Sequence, residues 1–179
     1  IDGFLSLFNG NVVPFEYAGI HATNTTQGHR FLSSGDIVVQ NFLDYQSKLR
    51  AHHVILNWDE RRAFIASEVT RLAQSKGFKV LKDEALLDEV AGLVEWPVAL
   101  MGTIDEQFMD LPREVLTTPM RVHQRYFPLL KADGKRLASG FVVIANTTTS
   151  DNGALIIKGN ERVLRARLSD ARFFWDQDL

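Results

Sequence analysis

Tight-turn signals of the hairpin type stand near both ends of this chain, with amphipathic helices between them, and few folds accommodate that pattern. "FLSLF" and "VVPFEY" flank Asn9-Gly10-Asn11, two β-like runs around a tight turn, so residues 4–17 read as a hairpin. "RYFPLL", the turn "KADGK" and "GFVVIAN" repeat the pattern further on. Hairpins join antiparallel neighbours, whereas parallel strands need long crossovers. Between the hairpins, "DERRAFIASEVTRLAQSKG" puts Phe64, Ile65, Val69 and Leu72 on one helical face and stops at Gly77. "DEALLDEVAGLV" is a second amphipathic helix, with acidic residues in its first turn where the helix dipole favours them. The expected fold class is therefore mixed α/β (α+β), with largely antiparallel or mixed sheets and packed helices.

The remaining segments fit that frame. Residues 18–35 are polar, punctuated by glycine and without period, which reads as a long loop, and "DIVVQ" reads as a short strand. Asn41 to about His52 reads as helix, "FKVL" and "EWPVALMG" as strands. "LPREVLTTPM" reads as a short helix with Pro112 near its first turn and a stop at Pro119. The chain closes in a helix over about residues 160–175, with Asn160 and Glu161 at its cap. A length of 179 residues suits a single domain, 1–179, with that last helix leading onward. The first residue is Ile1, directly in a strand-like pattern, so a piece of a longer protein is expected.

Composition narrows the function. The chain has 45% hydrophobic residues, a formal net charge of −2 and a pI near 6.2, so binding to nucleic acid must rest on a local patch. It contains no cysteine, which removes disulfides and thiolate-bound metals and suits a cytoplasmic setting. No apolar run approaches the roughly 20 residues that span a bilayer, so no membrane is expected among its partners. Neither a phosphate-binding glycine loop, a dinucleotide fingerprint, HExxH nor a Gly-x-Ser-x-Gly elbow occurs. No catalytic or metal-ligating residue is assigned, and ATP chemistry is expected outside this chain.

Three blocks carry candidate contacts. "GNERVLRARLSDARFF" distributes Arg162, Arg165, Arg167 and Arg172 around a helix whose packed face is Leu164, Leu168, Ala171 and Trp175. Those arginines either bind outward or pair within the helix, Glu161 with Arg165, Arg167 with Asp170, and Arg172 with Asp176. "MRVHQRYF" supplies Arg121, His123, Gln124 and Arg125 beside Tyr126 and Phe127, forked donors for phosphate next to planes for unpaired bases. It is equally readable as a strand with Tyr126 or Phe127 in the core. "GHRF" offers His29 and Arg30 after Gly28, where a glycine lets backbone approach a ligand, or is a loop closing on a buried Phe31.

Together "GHRF", "VEWPVALMGTIDEQFMDLPREVL", "MRVHQRYFP" and "KGNERVLRARLSDARFFWDQD" resemble the beta subunit of bacterial heterotetrameric glycyl-tRNA synthetase, along nearly the whole chain and in order. The resemblance implies a fragment from the N-terminal half of that subunit, similar to the editing-domain fold of the phenylalanyl-tRNA synthetase beta subunit. It implies an accessory tRNA-recognition domain of a glycine–tRNA ligase, with no cofactor of its own. The alpha subunit would use ATP and Mg and form the adenylate. The implied partners are tRNA(Gly), the alpha subunit and the remaining beta-subunit domains. The expected tRNA contacts are His29, Arg30, Arg121, His123, Gln124, Arg125, Arg162, Arg165 and Arg167. The alternatives are a scaffold without RNA contact, or a vestigial editing hydrolase. Glycine is the smallest amino acid, so its enzyme can exclude larger ones by size, and no editing activity is carried over.

Overall fold

The computed structural model describes residues 1–178, which divide into two compact units, Ile1–Trp58 and a larger one beginning at Asp59. The first unit is built from short strands: β1 Phe4–Leu5, β2 Leu7–Phe8, β3 Asn11–Val12, β4 Glu16–Tyr17, β5 Ile20–Thr23, β6 Thr25–Gln27 and β7 Asp36–Val38, followed by helix α1 Phe42–Ala51. The hairpin at Asn9-Gly10 forms as its residues dictate, with Phe8 facing Asn11 and φ of 50° and 79° at the two turn positions, the doubly positive geometry that asparagine and glycine tolerate.

Residues 18–35 are not one long loop, for they hold β5 and β6. A second tight turn of the same kind, Ala18-Gly19 with φ of 53° and 79°, reverses the chain so that β5 pairs antiparallel with β4 and parallel with β1. Alanine disfavours positive φ, so this turn has no sequence signal. Asn41 caps α1 by accepting the Asp44 amide at 2.9 Å. The buried apolar residues of this unit are Ile37, Val39, Leu49 and Ile55.

The second unit is a three-layer structure. It contains α2 Trp58–Ser75, β8 Lys79–Val80, α3 Glu84–Leu93, β9 Val98–Thr103 and a single 3-10 turn Glu106–Phe108. There follow α4 Arg113–Thr118, a π-helical turn Pro119–His123, β10 Phe127–Leu130, β11 Leu137–Ala145 and α5 Ala154–Asp178. The sheet order is β8-β10-β11-β9, antiparallel throughout, as the second hairpin predicts. Successive side chains of β11 point to opposite faces. Ala138 and Val142 join Ile65, Val69, Leu86 and Val90 of α2 and α3, while Leu137 and Phe141 join Leu116, Met120, Leu164 and Leu168 of the opposite layer.

Three local readings change. The buried stripe of α2 is Ile65, Val69 and Ala73, and Phe64 is 42% exposed. These three are spaced i, i+4, i+8, one line down the helix, and Phe64 lies to one side of it. Pro119 does not end the helical path: it opens the π-helical turn, a first position where a missing N–H costs nothing. Helix α5 starts at Ala154, not near 160. Asp151 receives the Leu155 amide at 2.8 Å and the Gly153 amide at 3.1 Å, so the cap lies here and Asn160 and Glu161 are interior. Gly159 inside the helix weakens its sequence signal.

Candidate nucleic-acid interface

His29 is buried, 1% exposed, and its ring is occupied within the first unit. Its Nδ1 accepts the amides of Phe31 and Leu32, each at 3.1 Å, and its own amide donates to the His52 carbonyl at 2.9 Å. A Cβ on Gly28 would stand 2.5 Å from His52 Cβ and 2.7 Å from the His52 carbonyl. The close backbone approach is thus to the end of α1. Phe31, read as the buried end of the loop, is 76% exposed instead, with the Arg30 guanidinium 5.6 Å from its ring centre. Burying the histidine puts the phenylalanine outside.

The "MRVHQRYF" block turns toward α3. Arg121 Nη2 donates to Asp83 at 3.2 Å, and Asp83 also caps α3 by taking the Leu86 amide at 3.0 Å. Arg125 has a left-handed φ of 55°, which ends the π-helical turn, and its Nε meets Glu89 of α3 at 2.5 Å. His123 is exposed, and Gln124, half-buried, gives its amide to the Pro119 carbonyl at 3.2 Å. Tyr126 and Phe127 are core residues, 1% and 3% exposed.

The closing helix turns the other way. Arg165 pairs with Asp105 at 3.4 Å. Arg172 reaches the Gln107 carbonyl at 2.6 Å and both oxygens of Asp110, and its guanidinium holds the Asp110 carboxyl below the usual carboxylate range. The expected partners Glu161 and Asp176 are passed over, and Glu161 takes the Thr103 amide at 2.8 Å. Pairs at i, i+4 contribute only a few tenths of a kcal/mol, so carboxylates already fixed by the turn at 105–110 win. Arg162 and Arg167 are exposed and make no ion pair among the described residues, nor does Lys158. Lys158, Arg162 and Arg165 share one flank of α5 by their spacing, and Arg167 lies on the other. Trp175, expected on the packed face, is 36% exposed, while Leu164 and Leu168 are each 1% exposed.

The two arginine blocks therefore diverge, one onto α3 and one onto residues 105–110. Cations that no sequence block singled out converge instead: Arg113, Lys131, Lys135 and Arg136 line one cavity of about 280 Å³. They are spread over two elements and a turn, so no local spacing marks them. Among the described residues no group of three or more His, Asp or Glu is placed to hold a metal ion, and no helix is long and apolar enough to cross a membrane.

A family model described as the glycyl-tRNA synthetase beta subunit matches residues 1–179. The chain belongs to that family. Among its relatives, the glycine–tRNA ligase beta subunits of Rhodospirillum centenum and Paracoccus denitrificans are 51% identical over 203 residues and 52% identical over 169. The alignments cover 100% and 94% of this chain, but 28% and 24% of those relatives. The subunit of Desulforamulus reducens is 47% identical over 175 residues, 98% of this chain and 25% of that relative. The chain thus spans about a quarter of the length of the glycyl-tRNA synthetase beta subunits it matches.

Proposed function

We propose that this segment of the beta subunit is an accessory module in glycyl-tRNA synthesis that touches tRNA(Gly) through exposed cations and carries out no chemistry itself. ATP and Mg would be handled by the alpha subunit, with that subunit and the remaining beta-subunit domains as its protein partners. The observation that carries the reading is the difference between paired and unpaired arginines. Arg162 and Arg167 have no carboxylate among the described residues, while Arg121, Arg125, Arg165 and Arg172 each have one. An unpaired guanidinium on an exposed helix offers its whole donor fork to a phosphate. Arg30 and His123, both exposed, are secondary candidates, and the buried ring of His29 and the half-buried Gln124 serve the fold.

The second reading, a scaffold without RNA contact, is favoured by the four cross-element ion pairs. One experiment on the full enzyme separates the two. Arg162→Ala with Arg167→Ala raises the KM for tRNA and leaves adenylate formation and melting temperature unchanged. Arg121→Ala with Arg125→Ala lowers the melting temperature modestly, since exposed pairs contribute about 0.2–1 kcal/mol each, and leaves the tRNA KM unchanged. Unaltered charging kinetics in the first pair would leave only the scaffold.

A further inference from the structure

The cavity lined by Arg113, Lys131, Lys135 and Arg136 lies between α4, the 3-10 turn at 106–108 and the β10–β11 hairpin turn. Its apolar lining is Met109, Leu111, Leu116 and Leu137. Asp133, the carboxylate of the hairpin turn, is already committed. It accepts the amides of Lys135 at 2.9 Å and Arg136 at 3.0 Å, and the Arg136 Nε at 2.7 Å, and these donors hold its carboxyl far below the usual range. Glu106 is the one acid in the lining.

Arg113 comes from a different element and reaches the same turn, its Nη1 donating to the Lys135 carbonyl at 3.5 Å. Lys131 and Lys135 make no side-chain ion pair or hydrogen bond among the described residues. Like charges gathered over a low-dielectric lining repel one another, and a bound anion relieves that repulsion. The contrast with the arginine blocks is direct, for there each guanidinium was met by a carboxylate.

We infer that this cavity seats a phosphodiester group of an RNA strand, an inference that rests on the tRNA-contact reading above but uses none of its residues. A polymer fits better than a lone phosphate because the neighbouring cations lie along one segment. Asp105 and Asp110, which hold Arg165 and Arg172 of α5, bracket Glu106 and Met109, which line the cavity. A strand crossing residues 105–110 meets the cavity on one side and the basic flank of α5 on the other. The lysines give point charges without base discrimination, so the contact is to the backbone and not to sequence.

The test is tRNA binding by the full enzyme across a salt series, comparing wild type, Lys131→Glu with Lys135→Glu, and Lys131→Arg with Lys135→Arg. The slope of log affinity against log salt should fall by about 1.4–1.8 in the double glutamate variant, at about 0.7–0.9 per phosphate lost. The double arginine variant should keep the wild-type slope, and equal melting temperatures show that both variants fold. Inorganic phosphate that raises the wild-type melting temperature, with no change of slope in the glutamate variant, would assign the cavity to a free phosphate and overturn the RNA seat. An unchanged slope and affinity in the glutamate variant overturns it outright. If Arg162→Ala with Arg167→Ala still raises the tRNA KM in that case, the proposed function stands and only this seat is lost.

Discussion

Tyr126 stacks on Phe141 with ring centres 4.6 Å apart, is 1% exposed, and donates its hydroxyl to Asn160 Oδ1 at 2.6 Å. Asn160 is held in turn by its own Nδ2 donating to the Ile156 carbonyl at 2.8 Å. Removing the hydroxyl leaves a buried acceptor unmet, so Tyr126→Phe should cost about 1–3 kcal/mol in denaturant unfolding. Burial also pushes the hydroxyl up to about 12. The folded state then keeps a proton that the unfolded chain releases near pH 10, so the contribution is complete below about pH 10 and fades as pH rises toward about 12. The difference between wild type and Tyr126→Phe should shrink over that window; a constant difference would show that the group titrates normally. The sequence marked Tyr126 as a core candidate from its apolar surroundings. It misassigned Asn160 as a cap, because a side chain that bonds across 34 positions leaves no trace in local spacing.

At the scale of elements, α5 shows which part of a helix can be read from its residues. Leu164 and Leu168 were expected to pack by their spacing, and both are 1% exposed. Leu164→Ala should cost about 2–5 kcal/mol through lost contacts and the cavity left behind. Val163, the next residue and 43% exposed, should tolerate alanine within about 0.5 kcal/mol. Equal losses at the two positions in urea unfolding would mean that the helix is seated differently. Periodicity identifies the inward face because the 3.6-residue repeat is a property of the backbone. It does not show how far packing extends along the helix, and Trp175 is 36% exposed although its wheel position matches Leu164 and Leu168. The same limit applies to strands: Asn9-Gly10 announced its turn through residues that accept positive φ, and Ala18-Gly19 hid the equivalent turn.

At the scale of the molecule, electrostatics sets the expectation for binding. With a formal net charge of −2, the 179-residue segment by itself should bind tRNA only in the non-specific range, Kd about 10⁻⁴–10⁻⁶ M at physiological salt, as read in a fluorescence titration. Nanomolar, salt-resistant binding by the isolated segment would show that its cations are far better aligned than their pairing suggests. Fold class, most element positions, the antiparallel second hairpin and family membership were all legible in the chain, since turn chemistry, side-chain period and long unusual blocks are properties of neighbouring residues. The destination of each arginine was not. Arg165 chose Asp105 over Glu161, Arg125 chose Glu89, and Arg113 met Lys131 and Lys135 around one cavity. Coulomb attraction and hydrogen bonding act through space at a few ångströms, so their partners exist only once distant segments have been folded against each other.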